Sequence, residues 1–153
     1  MARSNTASSH GLHDAVSTRL RRANQRVTAN RQAIVGALST ADRPLTIPEI
    51  LESPTGRALA QSSVYRNLVV LEQVGLVHRV VTDGEFARYE LDEDLTEHHH
   101  HLICANCGRV DDVPASAGLE QSVKSAASQI ARSTGFRTQR HRVDLVGLCA
   151  QCT

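Results

Sequence analysis

Four cysteines stand in two pairs of identical spacing. Cys104 pairs with Cys107, and Cys149 pairs with Cys152, each across two intervening residues. Two such pairs supply four thiolates, which is the full ligand set of a tetrahedral structural zinc ion. A redox-active dithiol needs its pair at a helix N-terminus in a thioredoxin-like unit, and neither pair has that setting. Because 41 residues separate the pairs, we predict one structural Zn(2+) site that tertiary structure must assemble.

A run of four histidines, His98 to His101, precedes the first cysteine pair. Successive side chains of a β-strand point to opposite faces. In a strand, His98 and His100 would share one face, and His99 and His101 would share the other. An expression tag or a solvated loop is the plain alternative, but a tag does not sit inside a chain three residues before a cysteine. We predict that the run contributes ligands to two separate metal sites.

Each histidine pair needs further ligands, and imidazole and carboxylate groups are those that divalent transition metals accept. Glu120, on a predicted helix, and His141, on a later predicted strand, are candidates to complete the site of His98 and His100. The candidates for the other site lie near a predicted hinge: His78, Glu90 and Asp92. For His78, an exposed histidine without any ligand role is the alternative interpretation.

The first half of the chain shows helical periodicity that is interrupted by Pro, Gly and capping residues. The predicted helices cover residues 14–23, 29–38, 47–52 and a last segment that ends at Val74. Thr28 and Thr46 are expected N-caps of the second and third helices, and Ser62 or Ser63 is expected to cap the fourth. These helices must position whatever surface the first half presents.

A hairpin pattern follows the helices. Strand-like runs over 76–82 and 86–91 are joined by an Asp-Gly dipeptide at 83–84, the strongest short signal for a tight turn. Three helices followed by a hairpin form a winged helix. We therefore predict a winged-helix DNA-binding domain over residues 1–92, with residues 1–13 flexible.

The second half predicts a smaller domain that contains all the metal ligands except those near the hinge. An acidic stretch over 93–97 is expected to act as the hinge. The elements expected after it are strands over 98–103, 110–113 and 137–146 and a helix over 116–133. The predicted fold class is α+β, with a small α/β metal-binding domain over residues 98–153.

Charge is distributed unevenly along the 153 residues. Residues 1–80 contain ten arginines, no lysine and five acidic residues, whereas residues 81–153 contain seven basic and eleven acidic residues. A basic half favours a polyanionic partner, and the planar guanidinium group suits phosphate and guanine. This asymmetry favours DNA as the partner of the first domain.

In a helix-turn-helix, the second helix enters the major groove and its polar side chains meet base edges and phosphates. The fourth predicted helix has a polar outer face, and the first helix displays arginines that can lie along phosphates. The expected DNA contacts from these helices are Arg21, Arg22, Gln61, Ser63, Tyr65, Arg66 and Asn67. The alternative is a winged-helix protein-protein adaptor whose polar face is merely solvated.

The sequence excludes several other classes of function. Met1 to His13 lacks an apolar stretch, so we expect neither a secretory signal nor a membrane anchor and place the protein in the cytoplasm. The chain also lacks an H-E-x-x-H motif, a Gly-rich phosphate loop and a nucleophile with an evident base. We therefore expect no enzymatic activity and no small organic substrate.

The chain resembles the ferric uptake regulator (Fur) superfamily of bacterial metal-dependent repressors over nearly its full length. Four stretches carry the resemblance. They are residues 26–31 (RVTANR), 63–68 (SVYRNL), 98–108 (HHHHLICANCG) and 141–152, which ends in CAQC. The resemblance implies a homodimer that binds a palindromic double-stranded DNA operator when a regulatory metal is bound, with residues 98–153 as the dimerisation domain.

The resemblance also implies roles for individual residues. The four cysteines match structural zinc ligands, and Arg31 in the opening helix signature joins the expected DNA contacts, among which Tyr65 and Arg66 match groove-facing residues. The second metal site matches His98, His100, Glu120 and His141. The sensing site matches Glu90, His99 and His101, with His78 as its expected further ligand.

One departure concerns the sensing site. Many iron- and peroxide-sensing members supply a histidine from the loop after the second helix, and residues 41–47 contain none. The fourth ligand therefore stays open between His78 and Asp92. We expect Zn(2+) or Fe(2+) as the regulatory metal, in control of metal uptake or homeostasis, with a peroxide-sensing member of the superfamily as the alternative.

Overall fold

The computed structural model of the chain describes residues 9–80, 82 and 86–153. It has the predicted α+β architecture, with helices and two separate three-stranded sheets. The helices are α1 Ser9–Arg22, α2 Ala29–Thr40, α3 Ile47–Glu52, α4 Gln61–Gln73 and α5 Ala117–Thr134. The strands are β1 Leu45–Thr46, β2 Val77–Val80, β3 Arg88–Leu91, β4 His99–Cys104, β5 Val110–Pro114 and β6 Asp144–Gly147.

The N-terminal unit is held together by one apolar core to which all four of its helices contribute. The largest fully buried side chains include Leu20, Ile34, Ile50, Leu68 and Leu71. Each lies on the inward face that helical periodicity predicts, and burying such a side chain contributes about 1.5–3 kcal/mol. This core fixes α4 and the β1–β3–β2 sheet relative to each other, as in a winged helix.

Two predicted N-caps are present in the structure. The Thr28 side chain accepts a hydrogen bond from the Arg31 backbone N–H at the start of α2. Thr46 and Glu49 form a capping box at α3, in which each side chain accepts from the other residue's backbone N–H. Such caps satisfy backbone donors that the first turn of a helix leaves without partners.

Two helix starts differ from the prediction. Helix α1 begins at Ser9, before the predicted start at residue 14. Leu12 packs against the core, and the His13 ring contacts the Gln32 amide. Helix α4 begins at Gln61 with Ala60 as an N-cap that makes no side-chain hydrogen bond. Ser62 and Ser63, the predicted caps, lie inside the helix, so neither is its N-cap; the Ser63 hydroxyl accepts from Asn30 of α2.

Strands β2 and β3 of the predicted hairpin are shorter than expected, and strand β1 was not predicted. The two-residue strand β1 pairs with β3 through Leu45–Tyr89 and Thr46–Arg88. Strands β2 and β3 pair antiparallel as expected. The predicted Asp-Gly turn at 83–84 lies outside the described residues.

The C-terminal unit is a sheet in the order β5–β4–β6 with α5 beside it. Strands β4 and β5 are antiparallel, and β4 and β6 are parallel. The predicted strand over 137–146 is reduced to β6. Ser116 caps α5, and Gly135, with a φ of 74°, ends it in the left-handed conformation that glycine favours.

The two units meet along β2, β3, β4 and β5. Val80 of β2 shares a small buried cluster with Ile103 of β4 and Val110 of β5. The predicted hinge contains a short 3-10 helix, Glu93–Leu95, capped by Asp92. This junction brings side chains from both units to one place. Among the described residues, no helix is long and apolar enough to cross a membrane.

Candidate metal centres and nucleic-acid interface

The four cysteines converge at the end of the β4–β5 hairpin. Their four sulfur atoms, from Cys104, Cys107, Cys149 and Cys152, all lie within 4.8 Å of one another. The sulfurs of Cys107 and Cys149 are 3.8 Å apart. Tetrahedral zinc with Zn–S bonds of about 2.3 Å places its sulfurs about 3.8 Å apart. The arrangement therefore fits a structural zinc site.

The pKa values of the cysteine thiols also indicate a site that a cation would stabilise. Backbone N–H groups of Cys107 and Cys149 lower the pKa of the Cys104 thiol to about 6. Although the Asn106 side chain acts in the opposite direction, the Cys149 sulfur and burial raise the pKa of Cys152 to about 11. Four adjacent thiolates repel one another, and a bound divalent cation removes that repulsion.

A second cluster lies at the junction of the two units, and we call it the junction cluster. Its members are Glu90 of β3, His99 and His101 of β4 and Asp112 of β5. The His99 Nε2 atom lies 3.0 Å from Glu90 Oε2, and the His101 Nε2 atom lies 3.1 Å from Glu90 Oε1. Asp112 Oδ1 is 3.8 and 3.7 Å from the same two nitrogens. Glu90, His99 and His101 are buried, and Asp112 is half-buried.

Outer hydrogen bonds orient both imidazoles of the junction cluster. His99 Nδ1 lies 2.9 Å from the Glu97 carbonyl oxygen, which can only accept, so this nitrogen carries the proton. His101 Nδ1 lies 3.0 Å from a carboxylate oxygen of Asp144 in the same way. Without a cation, Nε2 of each ring donates to Glu90. A cation that replaced these Nε2 protons would find both lone pairs facing the cluster, which is the arrangement of metal-binding histidines.

The junction cluster is strongly coupled electrostatically. Burial alone would raise the pKa of Glu90, but hydrogen bonds from His101, His78 and His99 lower it well below its usual range. Burial alone would lower the pKa of His101, but Glu90 and then Asp144 raise it above its ordinary value. Buried carboxylates beside imidazoles form a site whose charge a divalent cation can balance.

The structure places the two candidate fourth ligands of the sensing site outside the junction cluster. His78 lies beside it, with Nε2 2.5 Å from Glu90 Oε1. Asp92 caps the hinge helix and accepts from Arg140 at 3.3 Å. Asp112, which sequence reasoning missed, belongs to the cluster, and the identity of the fourth ligand stays a prediction. Strand register could have found it, because His101 faces Asp112 across the predicted hairpin.

The second predicted metal site is also brought together. His98, His100, Glu120 and His141 offer ligand atoms within 4.8 Å of one another. The His98 and His141 Nε2 atoms are 3.1 Å apart, and His100 Nε2 lies 2.7 Å from Glu120 Oε1. Separations near 3 Å match neighbouring ligand atoms around an ion at about 2.0–2.2 Å.

The electrostatics of this second site favour the ionised Glu120 carboxylate, which is the form that binds metal. Hydrogen bonds from His100 and His141 lower the pKa of Glu120. The other ring nitrogen of His98, Nδ1, lies 3.2 Å from a carboxylate oxygen of Glu93 in the hinge helix. Both histidine faces of β4 therefore carry a four-residue cluster, as the period of the strand predicts.

The outer face of α4 presents part of the predicted DNA-binding set. Gln61, Tyr65 and Arg66 are exposed and line an open groove together with Ile47 and Ser62. The Tyr65 ring is 59% exposed, although large apolar side chains favour burial. Arg21 and Arg22, in the last turn of α1, are also exposed. Arg66 Nε donates to the Ser62 carbonyl at 3.2 Å, and the exposed side chains remain accessible to a large polar partner.

The remaining predicted DNA contacts are engaged within the protein. Arg31 Nε donates to Asn67 Oδ1 at 3.1 Å, and Asn67 Nδ2 donates to the Ser63 carbonyl at 2.9 Å. Ser63 also accepts from Asn30 at 2.8 Å. Arg31, Ser63 and Asn67 therefore lie between α2 and α4, where their hydrogen bonds hold α4 against α2.

Comparison with known proteins gives one consistent result. The model of the ferric uptake regulator family matches residues 22–146. The chain is 30% identical over 146 residues to the peroxide operon regulator of Bacillus subtilis, covering 94% of each protein. Its fold is similar to the ferric uptake regulator of Helicobacter pylori, with a TM-score of 0.73 and 21% identity over 94% of this chain and 92% of that one. It is also similar to the Vibrio cholerae ferric uptake regulator, with a TM-score of 0.68 and 26% identity over 88% and 99%.

Proposed function

This chain belongs to the ferric uptake regulator family, and we propose that within it the protein is a metal-dependent transcriptional repressor. In this proposal it binds a palindromic DNA operator as a homodimer and controls metal uptake or homeostasis in response to Zn(2+) or Fe(2+). Residues 1–92 act as the DNA-binding domain, 93–97 as the hinge and 98–153 as the dimerisation domain. The family consists of transcription regulators, and enzymatic activity is no part of the proposal.

The junction cluster carries the proposal. Its Glu90 belongs to the winged-helix unit, whereas its two histidines and Asp112 belong to the C-terminal unit. A divalent cation bound there would receive ligands from both units at once. The same residues without a cation are held only by hydrogen bonds, so occupancy of the site would change how firmly the units are joined.

Joining the units matters because the distance between the two winged helices of a dimer must match the spacing of the half-sites in DNA. A dimer presents its two recognition helices to half-sites at a fixed spacing, and mobile domains lose affinity for that spacing. The related Vibrio cholerae structure is described as showing a rearrangement of its DNA-binding domains, which supports domain movement in this chain as well. Metal and DNA would then strengthen each other's binding reciprocally.

The proposed homodimer also has a candidate surface. Helix α5 has no buried residue in the single chain, and every residue of β6 is exposed. Large apolar side chains lie open on and beside these elements: Ile130, Phe136, Leu145, Val146 and Leu148. Exposed apolar groups in this number favour a protein interface, and a second copy of the chain is the occupant we propose.

The test of the proposal is metal-dependent selection of DNA. Zinc-replete protein is incubated with a randomised double-stranded DNA library, with or without added Fe(II), Zn(II), Mn(II) or Ni(II). We expect a palindromic sequence to be enriched only when metal is added. Arg66→Ala should weaken binding of that sequence about 5- to 150-fold, because a side chain that contacts base edges contributes about 1–3 kcal/mol. Metal affinity should stay unchanged.

Arg57→Ala is the matched control, since Arg57 is an exposed arginine of the same unit that lies outside α4. It should lose far less affinity, and binding of the wild type should fall steeply with salt. If no sequence is enriched under any metal, the adaptor alternative is favoured. Enrichment that is equal with and without metal would refute metal sensing.

Peroxide sensing is the second candidate, and two observations favour it. The Bacillus subtilis relative is a peroxide operon regulator. The junction cluster also combines two imidazoles with carboxylates, a donor set that non-haem Fe(II) accepts. In this case hydrogen peroxide should release DNA from the Fe(II)-loaded protein but not from the Zn(II)- or Mn(II)-loaded protein, since only Fe(II) readily reduces peroxide. Electrophoretic mobility shift after peroxide treatment measures this, and equal retention in all three forms would exclude it.

A further inference from the structure

Arg88 connects the winged-helix unit to the turn of the first cysteine pair by hydrogen bonds that do not involve the side chains of the metal clusters. It lies on β3 two residues before Glu90, so both side chains point to the same face of the strand, toward the C-terminal unit. Its Nε atom donates to the Gly108 carbonyl at 3.1 Å. Its NH1 group donates to the Pro44 carbonyl at 3.3 Å and to Glu49 Oε2 at 3.1 Å.

The Gly108 carbonyl is held in place by the turn that carries the first cysteine pair. Gly108 N–H donates to the Cys104 carbonyl at 3.0 Å, and Cys104 N–H donates to the Arg109 carbonyl at 2.9 Å. Gly108 adopts a φ of 69°, which a residue with a side chain rarely tolerates. The acceptor of Arg88 is therefore a fixed feature of the cysteine turn.

The other partners of Arg88 are equally fixed on the winged-helix side. Glu49 belongs to the capping box of α3 and accepts from the Thr46 N–H at 2.7 Å and from Arg43 at 2.8 Å. Although burial opposes ionisation, the hydrogen bonds from Arg43 and Thr46 lower the pKa of Glu49 to about 2. Glu49 is thus ionised at neutral pH and remains a partner for Arg88.

These contacts are protected from solvent. The Arg88 side chain is only 14% exposed, and Arg88 pairs across the sheet with Val80, a member of the apolar cluster that joins the two units. Hydrogen bonds to charged groups shielded from water contribute more than exposed ion pairs do. A planar guanidinium can serve separate acceptors at fixed angles, which the ammonium group of lysine cannot.

We propose that Arg88 is a positioning residue that holds β3 against the cysteine turn whether or not the junction cluster binds metal. Glu90, on the same face of the same strand, then provides the second point of attachment when a divalent cation is bound. A second attachment on the same strand restricts rotation about the first more than the shared apolar cluster does alone. This inference rests on the proposed function, because it explains how metal binding becomes a defined arrangement of the winged helices.

Arg88→Lys tests the proposal, with Arg79→Lys as its matched control. Arg79 is an exposed arginine of the neighbouring strand β2, and both substitutions keep the charge. The measured quantity is the ratio of affinities for the selected DNA with and without Mn(II), in the zinc-replete full-length protein. We expect Arg88→Lys to retain its zinc, its unfolding temperature within a few degrees and its Mn(II) binding, but to lose about tenfold in this ratio. Arg79→Lys should stay within about twofold of the wild type.

Hydrogen–deuterium exchange of the Mn(II)-loaded protein provides a second measurement that needs no DNA. In Arg88→Lys, we expect faster exchange in β2 and in residues 104–110 than in the wild type, with exchange in α2 and α4 unchanged. If the wild type binds no DNA, the proposed function fails while this difference still tests Arg88. An unchanged affinity ratio with unchanged exchange overturns the positioning role. Loss of zinc or of folding in Arg88→Lys also overturns it, since Arg88 would then support the fold itself.

Discussion

The double substitution His99→Ala and His101→Ala is expected to abolish the stimulation of DNA binding by divalent metal while leaving a folded chain that retains its cysteine-bound zinc. These residues supply both imidazoles of the junction cluster, and their Nε2 atoms face its interior. A coupling of about 1–3 kcal/mol between metal and DNA corresponds to about 5- to 150-fold in affinity. That factor should fall to one, as measured by fluorescence anisotropy on the selected DNA with and without metal.

His98→Ala and His100→Ala form the matched control, because they remove two histidines that alternate with His99 and His101 and belong to the other cluster. This control should keep a metal response, since its residues belong to the second cluster around Glu120. The junction variant should also be somewhat less stable. Glu90 is 4% exposed and would lose the hydrogen bonds from His99 and His101. A buried carboxylate with fewer hydrogen bonds lowers the free energy of unfolding. Metal stimulation that survives in the junction variant would exclude this cluster as the sensing site.

The metal clusters were accessible to sequence reasoning because spacing and strand period are local properties. The cysteine pairs and the alternation of the four histidines needed no tertiary information beyond the expectation of a strand. Asp112 could have been included on the same basis, because the cysteine turn fixes the register between the two strands of its hairpin. Asp144, which orients His101, lies across a parallel pairing that joins distant parts of the chain. No local pattern predicts that pairing.

The predicted DNA-binding face shows a limit of reasoning from helical periodicity. An outward position on α4 and a polar side chain made Ser63 and Asn67 candidates for DNA contacts, and the family signature added Arg31. In the structure, hydrogen bonds between α2 and α4 also involve these residues, and their contact with DNA stays a prediction. Helical period specifies which side of a helix faces the core, but not which polar residues at the edge of that side meet a neighbouring helix. Arg88 escaped notice for the same reason, since its partners are two backbone carbonyls and the Glu49 carboxylate, all from other segments of the chain.

Cys104→Ser is expected to have the largest effect of all the substitutions, because the C-terminal unit contains little apolar core of its own. Its buried apolar cluster consists of Ile103 and Val110 together with Val80 from the other unit, and α5 contributes no buried residue. Structural zinc sites bind with about 10–16 kcal/mol in small peptides, and this binding energy is folding energy. Whole domains are stable by only about 5–15 kcal/mol. Loss of the zinc would therefore unfold this unit.

Serine lacks the thiolate that the site requires, and Cys104 is the most buried of its four ligands. We expect Cys104→Ser to release zinc at chelator concentrations that leave the wild type intact, to lose the cooperative unfolding of the C-terminal unit and to sediment as a monomer. Ala105→Ser is the control, since Ala105 is exposed in the same turn and its substitution adds the same hydroxyl without removing a ligand. That variant should keep its zinc and its dimer. A Cys104→Ser protein that remains a stable dimer without zinc would show that the apolar surfaces of α5 and β6 suffice for folding, and that the cysteine site is not structural.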